Sequence, residues 1–332
     1  HGVDNVRMVC NLALMRGNVG RPGAGICPVR GHSNVQGQRT VGISEKPELV
    51  PLDRIAAQYG FEPPREKGLD TVGTVEGILD GSVEAFIGLG GNFSRAAPDT
   101  GRLEPAWQGL ALSLQVATHL NRNHLLCGRE TLLLPCLGRI EEDVQDGVAQ
   151  KVSIEDSTTC IHASFGNSPP AGPMLRSEPA IVAALAQAIL SPERAACVPW
   201  QDWVKDYARV RDAIEETYPE QFRDFNARLY TPGGFPRPVA ARERRWSTES
   251  GKAEFHVPDV ICATGFADKA GRYRLLTVRS NDQFNTTVYG YHDRFRGIDG
   301  TRRVVLMHAD DIAELGLDDG EQITLAADFD DD

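Results

Sequence analysis

The sequence predicts an α/β fold, a parallel sheet with helices between its strands, running into a β-rich C-terminal region. Three observations carry that expectation. Short apolar runs at 83–89, 110–116 and 131–135 read as buried strands, spaced by stretches long enough to hold helices. The alanine- and leucine-rich segment 178–190 has near-3.6 spacing and reads as a helix. Beyond residue 271, strand-like runs at 273–278, 303–307 and 322–325 alternate with turns.

Taken in chain order, the first element is a helix over 6–15, which gives way to a long loop. Glycines recur there from Gly17 to Gly42, with Pro22 and Pro28 among them, and this composition opposes regular structure. A loop of that length in a compact protein is usually functional. Residues 46–195 carry the α/β pattern, so 1–195 is expected to form one α/β domain. Residues 196–270 read as a connecting segment, with charged helical sequence at 203–217 and a stretch broken by proline and glycine at 232–238. Residues 271–332 read as the first part of a β-domain. The chain opens at His1 within a helical pattern and closes on Asp330-Asp331-Asp332 just after a strand-like run. It is therefore expected to be an internal piece of a longer polypeptide, inactive alone.

Composition is that of an ordinary globular protein, 41% hydrophobic and 24% charged. With 35 Lys and Arg against 46 Asp and Glu, the net charge of −11 argues against a nucleic-acid partner. No apolar run is long enough to span a bilayer. The seven cysteines, Cys10, Cys27, Cys127, Cys136, Cys160, Cys197 and Cys262, form no CxxC pair, so no metal site is expected in this chain. Scattered thiols suit a reduced, cytoplasmic setting.

Four constellations could carry chemistry. Pro28-Val29-Arg30-Gly31-His32-Ser33-Asn34-Val35-Gln36-Gly37 places many hydrogen-bond donors on a glycine-kinked backbone, which suits a flat or phosphorylated ligand as well as a self-satisfied surface loop. Gly88-Leu89-Gly90-Gly91-Asn92-Phe93-Ser94 follows a strand, where an open parallel sheet binds ligands, although the glycines do not match the dinucleotide fingerprint. Thr118-His119-Leu120-Asn121-Arg122-Asn123-His124 follows another strand. It reads either as a polar rim of the same crevice or as histidines satisfied by nearby backbone. Arg279-Ser280-Asn281-Asp282-Gln283-Phe284-Asn285 lines up a guanidinium fork and amides suited to phosphate and to pterin or purine edges. Arg294, Arg296, Arg302 and Arg303 read as a solvated or interdomain charged face.

In order, these segments resemble the molybdopterin-guanine-dinucleotide oxidoreductases, the superfamily of formate dehydrogenases, nitrate reductases and DMSO reductase, and most of all its formate-dehydrogenase-like alpha-subunit branch. The resemblance rests on Asn11-Leu12-Ala13-Leu14 with 17–25, on the 28–37 loop, on Gly90-Gly91-Asn92, on Ser250-Gly251-Lys252-Ala253-Glu254-Phe255, and on 275–286 followed by 308–320. It covers nearly the whole chain, least securely between 196 and 245. The chain departs from the family at His32, where Gln is usual, and at Phe93, where Pro is usual.

The resemblance implies a Rossmann-like cofactor domain followed by the start of a β-barrel dinucleotide-binding domain. It also implies a bis-molybdopterin guanine dinucleotide holding molybdenum or tungsten. The metal ligand and a 4Fe–4S cluster are expected upstream of this chain. Arg30 is the implied catalytic residue, a guanidinium able to hold a small anionic substrate such as formate. His32, Ser33 and Asn34 are expected near the pterin, and Gly90, Gly91, Asn92, Thr118 and His119 around one guanosine. Arg279, Ser280, Asn281, Gln283, Phe284 and Asn285 are expected to contact the other pterin system. The implied reaction is a two-electron oxidation or reduction passing electrons to a transfer partner. The alternative is a non-catalytic scaffold or electron-transfer relative with the same fold and no molybdenum.

Overall fold

A computed structural model describes residues 2–29, 32, 34–258, 271–284 and 287–327. The chain divides into two units, His1–Ala270 and Gly271–Asp332.

The first unit opens with α1 (Gly2–Met15), which buries Asn11 and leaves Val3, Val6, Val9 and Leu12 exposed. The stretch expected to stay irregular through Gly42 is interrupted by α2 (Val35–Thr40). Here the glycine-rich composition misleads: Asn34 takes the left-handed conformation ahead of the helix, and Gly37 allows a close approach. A Cβ at Gly37 would collide with Asn34 Oδ1 and lie 3.3 Å from Glu155 Cβ.

Next come α3 (Leu52–Tyr59) and α4 (Thr71–Asp80). Asp70 caps α4 by accepting the Gly73 N–H at 3.0 Å, satisfying one of the amides a helix start leaves without a partner. The predicted sheet follows as β1 (Ala85–Leu89), α5 (Phe93–Ala96), α6 (Thr100–Trp107), β2 (Leu112–Ala117) and β3 (Glu130–Pro135). All three strands are parallel, in the order β1-β2-β3, with Leu89 opposite Val116 and Val116 opposite Leu134.

Only β2 is buried along its length, as the centre of a parallel sheet should be. One face of the sheet packs on α4 and α6 through a cluster of Val75, Ile78, Leu103, Trp107 and Leu110, joined by Phe86 and Phe93. On the other face Leu114, Val116 and Cys136 meet Ile181 of a later helix.

An antiparallel part follows. A hairpin of β4 (Val144–Gln145) and β5 (Val148–Ala149) turns on Asp146-Gly147, both at positive φ, the preferred chemistry of a two-residue hairpin loop. Strands β6 (Val152–Glu155) and β7 (Cys160–Ser164) pair next. The helix expected at 178–190 is α7 (Glu178–Ile189), capped by Ser177 and followed by α8 (Pro192–Ala195). The helical run expected at 203–217 is two helices, α9 (Trp200–Lys205) and α10 (Tyr207–Thr217). Extended Asp206 breaks it and caps α10 by accepting the Ala208 N–H at 2.9 Å. Short helices α11 (Pro219–Phe222) and α12 (Phe225–Leu229) precede β8 (Phe235–Pro236), which adds to β7. Tyr218, Phe222, Phe225, Leu229, Phe235 and Ile161 form a second core here.

In the second unit, β9 (Gln283–Phe284) pairs antiparallel with β10 (Thr287–Val288), and α13 (Ala309–Glu314) follows. The runs 273–278, 303–307 and 322–325, expected as strands, make no ladder among the described residues. Their apolar side chains, Leu275, Leu276 and Leu306 among them, stand exposed. Alternating composition favours an extended chain, but without a paired neighbour it does not make a strand.

Candidate functional site

The carboxyl ends of β1 and β2 bring five of the sequence-predicted residues together. Gly90 leaves β1 and donates its N–H to Val116 O at 2.7 Å, so the turn begins as a continuation of the sheet. Gly90 and Gly91 have φ of 72° and 81°, a conformation that strains any residue with a Cβ. Among the described residues nothing lies within 4 Å of where a Cβ would stand on either, so the turn faces open space there. Asn121 Nδ2 donates to Gly91 O at 2.8 Å and ties this turn to the segment leaving β2. Thr118 and His119 are exposed on that segment, and half-buried Asn92 completes the rim.

Polar groups of the 92–94 and 118–124 segments hold this crevice in shape, joined by Glu104 and Arg95, which sequence reasoning did not single out. Asn123, fully buried, accepts the Ser94 N–H at 2.9 Å. Asn121 accepts the Asn123 N–H at 3.0 Å and donates its own N–H to His124 Nδ1 at 2.9 Å. His124 is therefore satisfied by nearby backbone, and burial pushes its pKa below the ordinary histidine value. Glu104, held below the usual carboxylate range by Arg122 and Arg95, takes Arg95 Nη1 at 2.7 Å and Arg122 Nη2 at 3.4 Å beside the same turn.

The 28–37 loop lies at a different place, the end of β6. Arg30 and Ser33 lie outside the described residues, and His32 is exposed. Asn34 Oδ1 accepts the Glu155 N–H at 3.0 Å, and Gln36 Nε2 donates to Glu155 O at 2.6 Å and Asp156 O at 2.8 Å. The Glu155 carboxylate, 2% exposed, accepts Thr40 Oγ1 at 2.7 Å and Arg237 Nε at 3.2 Å. One buried acid therefore anchors the carboxyl side of the loop.

In the second unit Arg279 is exposed, while Ser280, Asn281 and Gln283 are half-buried; Ser280 Oγ donates to Gln283 Oε1 at 3.0 Å. Phe284 belongs to β9, and Asn285 lies outside the described residues. Of the arginines expected to form a charged face, Arg294, Arg296 and Arg303 are exposed and Arg302 is half-buried. Arg296 Nη1 donates to Asp293 at 2.9 Å, and the Arg302 side chain is only 17% exposed, with Nη1 4.0 Å from the same carboxylate. Buried Asp293 pairs with both, and only Arg302 is turned inward. Among the described residues no group of three His, Cys, Asp or Glu is placed to hold a metal, and no helix is long and apolar enough to cross a membrane.

Residues 273–331 match the family described as molydopterin dinucleotide binding domain. Protein YdeP of Escherichia coli is 48% identical over 327 residues, 98% of this chain and 43% of its own length. An uncharacterized oxidoreductase of Mycobacterium bovis is 44% identical over 335 residues, 100% of this chain and 42% of its own. The F420-dependent formate dehydrogenase 2 subunit alpha of Methanococcus maripaludis is 58% identical over 41 residues, 12% of this chain and 6% of its own. The chain spans less than half the length of the first two relatives.

Proposed function

Since the chain belongs to the molybdopterin oxidoreductase superfamily, we propose that it binds a bis-molybdopterin guanine dinucleotide carrying molybdenum or tungsten, within a formate-dehydrogenase-like two-electron oxidoreductase. The observation that carries this reading is the open glycine turn at the carboxyl ends of β1 and β2, the place where open parallel sheets take nucleotides. The group fits it: a purine can reach the main chain of Gly90 and Gly91 without meeting a side chain, with Asn92, Thr118 and His119 as rim donors and acceptors.

In this reading that rim surrounds one guanosine. His32, Ser33 and Asn34 lie by the pterin, and Arg279, Ser280, Asn281, Gln283, Phe284 and Asn285 serve the second pterin system. When bound, the cofactor supplies a metal centre that exchanges two electrons with substrate. The residues of this chain bind and orient it, and Arg30 holds a small anionic substrate such as formate. A 4Fe–4S cluster elsewhere in the whole protein, an electron-transfer partner, a cytoplasmic setting and barrel closure of the C-terminal domain belong to the same proposal.

Elemental analysis and oxidised-pterin fluorescence of the full-length protein test it. Metal and pterin are expected at about 1:2, as a two-pterin cofactor requires. Absence of both, in protein from a host that makes the cofactor, would replace this reading with a scaffold role. Within the loaded enzyme, Arg30→Ala is expected to lower turnover far more than cofactor content. Equal loss of both would leave Arg30 a cofactor role only.

A further inference from the structure

We propose that Asp293 is a positioning residue that holds the 279–283 turn in the shape that receives the cofactor, an inference that rests on the cofactor reading above. Its carboxylate is 1% exposed, yet it carries no role in the sequence motifs. Oδ2 accepts the Asn281 N–H at 3.0 Å and Arg296 Nη1 at 2.9 Å, while Oδ1 accepts the Phe295 N–H at 3.2 Å. Its own backbone closes a turn, donating to Ile298 O at 2.7 Å and accepting from the Ile298 N–H at 3.2 Å. The acid is therefore fixed by a local turn and reaches back twelve residues to fix Asn281.

Asn281 needs such a hold. The next residue, Asp282, has φ of 54°, which costs a residue with a Cβ, and the turn is short of ladder bonds. Among the described residues, the Tyr289 N–H donated to Asp282 O at 2.8 Å and the pairing of Gln283 with Val288 also restrain it. An exposed ion pair would be a weak restraint, but a desolvated carboxylate with several donors gains strength from the low local dielectric.

The charge balance makes the same point. Two guanidiniums, of Arg296 and Arg302, share one carboxylate. Arg302 donates from Nη2 to Gly290 O, whereas its buried Nε and Nη1 meet no hydrogen-bond acceptor among the described residues. Neutralising Asp293 would leave both cations uncompensated, so the turn should open rather than relax slightly. The residue touches no predicted ligand atom; it acts through the Asn281 backbone.

The test uses the full-length enzyme purified with its cofactor, comparing wild type, Asp293→Asn and Arg296→Gln. Metal and pterin content and the visible circular dichroism of the bound cofactor are read beside far-ultraviolet circular dichroism and melting. Asp293→Asn is expected to retain cofactor about tenfold less well, the usual scale for outer-shell partners of a bound centre. Arg296→Gln keeps the acid and should show a smaller loss, with an altered cofactor dichroism and an unchanged melting curve. Wild-type content and dichroism in both variants would overturn the assignment alone. If Asp293→Asn does not fold, Arg296→Gln decides: wild-type cofactor retention and dichroism would make Asp293 a stability residue only. A wild-type protein lacking metal and pterin would overturn the cofactor reading and this assignment with it.

Discussion

Two turns in this chain, both assigned to the cofactor in the proposed reading, are built on opposite principles. The Gly90-Gly91 turn stands on packing: β1 hydrogen-bonds along β2, and Phe86, Phe93 and Trp107 fill the space beneath it. Ring centroids of Phe86 lie 5.0 Å from Phe93 and 4.8 Å from Trp107, a compact aromatic cluster. The Asn281 turn stands on charge, one buried carboxylate holding backbone N–H groups and a guanidinium. Packing leaves the Gly90 hydrogen bond to Val116 without a titrating partner, even though Glu104 pairs with Arg95 and Arg122 beside the same turn, whereas a carboxylate hub gives a turn that a proton can switch off.

The hardest blow to the packed turn is Trp107→Ala. Trp107 is 0% exposed, and its Nε1 donates to Ser113 Oγ at 3.2 Å, so truncation leaves a cavity and removes one of the two donors to that hydroxyl, Gln115 Nε2 at 3.4 Å being the other. The expected cost is about 3–5 kcal/mol, read as a lowered urea midpoint. A loss below about 1 kcal/mol, well short of that range, would mean the cluster does not support the unit. Next in size is Gly91→Val, which strains a φ of 81° in open space. It should cost about 1–3 kcal/mol and reduce cofactor content, whereas Gly101→Ala, in a helix with nothing near its Cβ, should leave content unchanged.

How far the sequence foretells this contrast depends on range. The parallel sheet is legible because apolar runs of strand length are local: the expected 83–89, 110–116 and 131–135 correspond to Ala85–Leu89, Leu112–Ala117 and Glu130–Pro135. The helix at Val35–Thr40 is not legible, because what stabilises it sits on Glu155, more than a hundred residues away. The Asp146-Gly147 hairpin carries a local signal, yet its two-residue strands are too short to show alternation. In the candidate site, the residues with exposed side chains announce themselves by type. Asn123, Glu155 and Asp293, the buried groups that hold them, look like any polar residue until their partners are known. Composition likewise treats Arg302 as part of a solvated face, since nothing local says that it packs beside a buried Asp293.

The subtlest prediction separates the two turns by a proton. The Asn281 N–H, followed by Arg296 and the Phe295 N–H, holds the Asp293 carboxyl below its ordinary value, against the opposing effect of burial. A depressed folded pKa means the charged form is favoured in the folded state. Its stabilisation is thus fully present above the unfolded value of about 3.9 and is lost as pH falls through the folded one. Amide exchange, expressed as protection relative to the unstructured rate at each pH, reads both turns in one experiment. Protection at Asn281 should fall as pH drops from the unfolded value of about 3.9 through the lowered folded one. Protection at Gly90, whose N–H is held by Val116 O, should not change over that range while the unit stays folded. Equal loss at both positions would mean that the two turns open together and that the distinction between a packed and a charged support is wrong. Loss at Asn281 alone would locate the acid sensitivity of this turn in the Asp293 carboxylate.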